Sequence, residues 1–62
     1  MANIVMVTVV DFLLDRPYVI VETETGGRIN VDRQFLRGFT VHVGMELDLT
    51  FENGELVSVE PI

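Results

Sequence analysis

Short runs in which apolar and polar residues alternate, separated by turn residues, fill this chain from end to end. Residues 4–13, 18–24, 28–32, 39–43 together with 45–51, and 55–60 read as β-type segments, because a strand sends successive side chains to opposite faces. The pattern is clearest in 45–51, where Met45, Leu47, Leu49 and Phe51 alternate with Glu46, Asp48 and Thr50. That is a half-buried strand with one wet face. Ile29 and Val31 oppose Arg28, Asn30 and Asp32 in the same way, and Phe39, Val41 and Val43 oppose Thr40 and His42. Segment 18–24 is apolar on both sides at its start and turns acidic towards its end. Segment 4–10 is apolar on both faces: Ile4, Met6 and Val10 share one with Thr8, and Val5, Val7 and Val9 form the other.

The turns are chemically specified. Leu14-Asp15-Arg16-Pro17 combines a side chain that caps turns with a proline that fixes its own φ. Thr25-Gly26-Gly27 offers glycines for positive φ. Asn53-Gly54 between alternating segments predicts a two-residue hairpin with a type I′ turn. Asp32 can cap a helix start and Gly38 can stop one, so a short helical turn is predicted near residues 33–38. It would lay Phe35, Leu36 and Phe39 against the barrel and put Arg33 and Arg37 on an outer face.

The expected fold is all-β: a small, closed, five- to six-stranded barrel forming one domain over residues 1–62. The order strand, strand, strand, helical turn, strand, strand favours an OB-like barrel, with an SH3-like barrel as second choice. Closure matters because an open sheet edge is a template for pairing with another chain.

Size sharpens the picture. A chain of 62 residues buries only about 60% of its unfolded surface, and such domains lean on a disulfide, a metal or a partner subunit. There is no cysteine, which excludes a disulfide and thiolate-bound zinc. A dense core or oligomerisation is left. The apolar start, residues 1–10, lacks a basic leader, contains Thr8 and runs straight into Asp11, so it reads as a strand rather than a signal peptide. No apolar run approaches the ~20 residues of a membrane helix. A cytoplasmic, membrane-free protein is the expectation.

Net charge is −6, from ten carboxylates against four arginines with no lysine. That field repels phosphate backbones unless the arginines cluster. It also removes lysine, a common guard of exposed strand edges, and leaves that task to carboxylates, bulges or closure.

Two resemblances follow. Val43-Gly44-Met45-Glu46-Leu47, then Asn53-Gly54-Glu55-Leu56-Val57 and Glu60-Pro61, resembles the closing half of OB-type domains such as S1-like RNA-binding modules and the N-terminal domains of ribosome-associated GTPases. Met45 stands where those families carry aspartate. Over nearly the whole chain, Val10-Asp11, Tyr18-Val19-Ile20-Val21-Glu22, Gly27, Val31-Asp32, Leu36, Val43-Gly44 and Asn53-Gly54 resemble a family of short, acidic, uncharacterised bacterial and archaeal β-barrel proteins. These are structural positions, and the resemblance implies a fold and no activity.

Catalytic chemistry finds little material. Ser58 and His42 are the single serine and histidine, and neither a cysteine nor a lysine nucleophile exists. No catalytic residue, cofactor or metal site is expected. Glu22 with Glu24, and Glu46 with Asp48, form same-face pairs that would suit a hard cation only if their strands were neighbours. Arg33 and Arg37, with Phe35 or Tyr18 as stacking platform, are the candidate contacts for an OB-type module binding RNA or single-stranded DNA. The preferred reading is a non-enzymatic acidic barrel acting through protein–protein contact, as a homo-oligomer or with another protein. Val5, Val7 and Val9 are its candidate interface, because a barrel buries only one face of a strand; the alternative cover for that face is this chain's own end at Val59, Pro61 and Ile62.

Overall fold

The computed structural model describes residues 2–62. It contains five strands, β1 (Ala2–Asp11), β2 (Tyr18–Thr23), β3 (Arg28–Asp32), β4 (Glu46–Glu52) and β5 (Glu55–Pro61), with one 3-10 turn, η1 (Arg33–Leu36), between β3 and β4. All pairings are antiparallel, in the order β3-β2-β1-β4-β5. The first four strands thus lie in the spatial order 4-1-2-3 of a Greek key, and β5 returns beside β4 through a hairpin. The sheet curls into a half-barrel. This is the expected all-β architecture, with five strands.

Closure is where the structure departs from expectation. β3 and β5 are the two ends of the sheet and do not pair with each other; η1 packs against both and plugs the gap. Asp32 caps η1 as its pattern predicts, its carboxylate accepting from the Gln34 amide at 3.0 Å. Leu36 drives into the core, while Phe35 and Phe39 pack partly buried against it.

Residues 39–43 do not form the strand that their alternation suggests. They cross the end of the barrel in an irregular connection between Gly38 and Gly44, both at positive φ (97° and 91°). Phe39 and Val41 pack on the core as alternation requires, but Val43 is exposed and no neighbouring strand offers a ladder. The connection is tied down at one point. Gly44 donates its amide to the Val9 carbonyl at 2.8 Å, and the Val9 amide donates to the Met45 carbonyl at 2.9 Å.

Two bulges bend the sheet. Val9 pairs with Val21 but Asp11 with Ile20, which makes Val10 the extra residue of β1. Thr50 pairs with Ser58 but Phe51 with Leu56, which makes Val57 the extra residue of β5. The Asn53-Gly54 turn has the predicted shape, both residues lying at positive φ (52° and 81°) with Glu52 opposite Glu55.

The core is narrow and β-branched: Val7, Val9, Val19, Val21, Val31 and Val59 with Leu36, Leu47 and Leu49. Burying each is worth about 1.5–3 kcal/mol, and no polar or charged residue shares that interior among the described residues.

Candidate interaction surface

β1 is much longer than its partner β2, and this mismatch leaves an uncovered edge in the middle of the sheet. β4 pairs with β1 from Ala2 to Thr8. β2 pairs with it only from Val7 onwards. Residues 2–6 of β1 therefore have a neighbour on one side alone.

Backbone direction follows from the tether at Val9. Its amide and carbonyl face the β4 side, where Met45 and Gly44 meet them. Strand geometry alternates, so Val7, Val5 and Asn3 also address β4, while Thr8, Met6 and Ile4 address the β2 side. β2 has ended there. Thr23, its last residue, turns its amide to the Gly27 carbonyl at 2.7 Å, and its hydroxyl accepts the Gly27 amide at 3.1 Å and meets the Thr25 hydroxyl. Thr23 is thus bonded within its own hairpin, and the N–H and C=O of Ile4 point into an open notch of about 510 Å³ lined by Ile4, Val5, Met6, Thr23, Glu24 and Thr25.

The side chains follow the same alternation. Val7 and Val9 are 1% exposed and Val5 packs partly buried on the core. The expectation that Val5, Val7 and Val9 form an outer interface is thus corrected: all three lie on the inward face, Val7 and Val9 are sealed in the core, and Val5 reaches only the notch at the strand's edge. The outward face carries Ile4, 69% exposed, and Met6, 39% exposed, with Thr8 and the half-buried bulge residue Val10.

Carboxylates ring this apolar centre. Glu52 lies opposite Ala2, Asp48 opposite Met6, and Glu46 opposite Thr8 on the β4 side, with Glu22 opposite Thr8 on the β2 side. Glu60 lies beyond, opposite Asp48. Among the described residues, Arg28 is the cation paired with these groups, 3.6 Å from Glu22. The carboxylate pairs Glu22/Glu24 and Glu46/Asp48 do not converge, since β1 separates their strands. Among the described residues no three His, Asp or Glu side chains group closely enough to hold a metal ion.

The other arginines gather near the Pro17 turn and η1. The Arg16 guanidinium sits 5.9 Å from the Tyr18 ring centre and donates to its hydroxyl at 2.8 Å. Arg33 lies over Phe12 at 4.8 Å, donates through Nη2 to the Leu13 carbonyl, and leaves its buried Nε without a hydrogen-bond partner. Phe12, Arg33, Leu36, Phe39, Thr40 and Val41 line a second concavity of about 400 Å³. Of the candidate nucleic-acid contacts, Tyr18 and Arg33 are therefore engaged with the protein's own groups, Phe35 packs on the core, and Arg37 alone is exposed. The His42 ring has the neighbouring Val43 carbonyl as its hydrogen-bond partner, and among the described residues no acid orients it.

Sequence pattern identifies the apolar and acidic positions of this surface. It does not reveal the notch, because that depends on where β2 stops relative to β1. No family model, curated protein or solved structure matches this chain.

Proposed function

We propose that this protein is a non-enzymatic interaction module whose outer β1 face, with the notch beside it, receives another protein. What supports the reading is one combination. Residues 2–6 form an uncharged, half-unpaired strand with two exposed large apolar side chains, set amid carboxylates on the surface of a −6 protein. A soluble domain ordinarily guards such an edge, and an apolar patch with a polar rim is the usual anatomy of an interface. Ile4 and Met6 act as the apolar anchors, and Glu22, Glu24, Glu46 and Asp48 set the sign of the partner's charge.

Site-specific photo-crosslinking tests this. A crosslinker replacing Ile4 is expected to trap a protein partner in cells that make this chain, and one replacing Leu14, which is 83% exposed in the turn that follows the other end of β1, is not. The same capture from both positions, or from neither, would remove β1 as the working surface.

A further inference from the structure

We infer that the partner docks as an added strand: an extended segment, alternately apolar and basic, hydrogen-bonded beside residues 2–6 of β1. This rests on the interaction-module reading above and specifies its mode and chemistry.

The backbone is the first reason. Ile4 turns both its N–H and its C=O into the notch, where β2 would continue had it been longer. Those are the groups an incoming strand uses. The second reason is the contrast among edges. β3 carries Arg28 and Asp32 on its exposed run. β5 carries Glu55, Glu60 and Pro61; since Ile62 donates its amide to the Glu46 carbonyl, Pro61 has its missing donor on the solvent side. Residues 2–6 have neither charge nor proline, and the β1 bulge lies far along at Val10. Among the described residues, this edge lacks the usual defences that β3 and β5 carry.

Charge selects the occupant. Glu24 lines the notch, and Glu22, Glu46, Asp48 and Glu52 stand around the face on which alternate side chains of an added strand would emerge. Lysine or arginine at those alternate positions meets carboxylates, while the intervening apolar residues meet Val5 and the notch floor. A second copy of this chain fits poorly by the same test, because it brings another −6 and its own residues 2–6 hold no cation.

The test is an NMR titration of the isotopically labelled protein with a short acetylated peptide of alternating lysine and valine. Saturable shifts are expected at residues 2–6 and 23–25, with amide exchange of Ile4 slowed about tenfold at saturation and affinity falling as salt rises. Two N-methylated peptides, each blocking one set of alternate amides, should separate: one binds and the other does not. An Ile4→Pro variant should keep a folded spectrum and lose the peptide. If both N-methylated peptides bind like the parent, strand addition is wrong while an acidic docking face survives. If a glutamate-for-lysine peptide binds equally well, the charge selection is wrong. Concentration-dependent shifts at residues 2–6 without peptide would assign the edge to a second copy instead, and absence of shifts there would overturn the site.

Discussion

The amide of Val9 donates to the carbonyl of Met45 at 2.9 Å, and that bond fixes the direction of every backbone group earlier in β1. Odd-numbered residues from Asn3 to Val9 address β4, and even-numbered ones address β2 or the notch. Two neighbouring residues of the same strand therefore carry opposite obligations to the fold.

Proline exposes the difference. At Ile4 it removes a donor that no described residue accepts, and edge positions of that kind tolerate proline. At Val5 it removes a donor from the ladder to Leu49 in the middle of the β1–β4 pairing. Ile4→Pro is expected to change stability by less than about 1 kcal/mol, and Val5→Pro to cost at least about 1–3 kcal/mol, the penalty of leaving the Leu49 carbonyl unpaired. Urea denaturation of both variants checks this. Equal losses would mean that the assigned direction of β1 is wrong.

The Asn53-Gly54 turn isolates a backbone effect from packing. A side chain added at Gly54 meets no atom within 4 Å, so steric crowding is absent and only its φ of +81° resists substitution. A β-branched residue is a poor occupant of that region. Gly54→Val should lose at least about 1 kcal/mol, a fall of about 4–8 °C in Tm for a domain near this size. An unchanged melting temperature would show that the hairpin does not hold this turn in solution.

Core and surface leucines should differ sharply. Leu49 is fully buried between Val5 on β1 and Val59 on β5, its cross-strand partners, whereas Leu14 projects from the first turn. Leu49→Ala is expected to cost about 2–5 kcal/mol, much of what holds a domain this small together. Leu14→Ala should stay within about 0.5 kcal/mol. Paired denaturant curves test the contrast, and a mild Leu49→Ala would indicate a core less tightly packed than this one.

Much of this architecture was legible in the residues, for a physical reason. Burial of one face forces the alternation of Met45 to Phe51, and positive φ forces the Asn53-Gly54 turn, so both are recognisable in the residues alone. Segment 39–43 misled because alternation reports packing of one side and not the presence of a ladder: Phe39 and Val41 pack, yet no strand lies alongside. β1 was ambiguous because both its faces are apolar. Pairing with Leu47 and Leu49 sends Val5 and Val7 inward and leaves Ile4 and Met6 outside. The notch itself is a difference between two strand lengths, and apolar–polar periodicity carries no signal for that.

The pair Asp48 and Glu60 connects stability with the proposed partner. They lie directly opposite one another on β4 and β5, on the outer face, and like charges in that relation repel. Glu60→Lys converts the pair to opposite charges and reduces the acidic field around Met6, which is cross-strand to Asp48. The variant is expected to be more stable by about 0.2–1 kcal/mol, with the gain shrinking as salt screens the interaction. It should also bind the lysine–valine peptide several-fold more weakly, because the carboxylates that destabilise the face are the ones that select its ligand. Thermal melts and peptide titrations at low and high salt measure both effects. A variant that gained stability and bound the peptide unchanged would separate the acidic face from recognition; one that lost stability would show that Asp48 and Glu60 do not repel as their register implies.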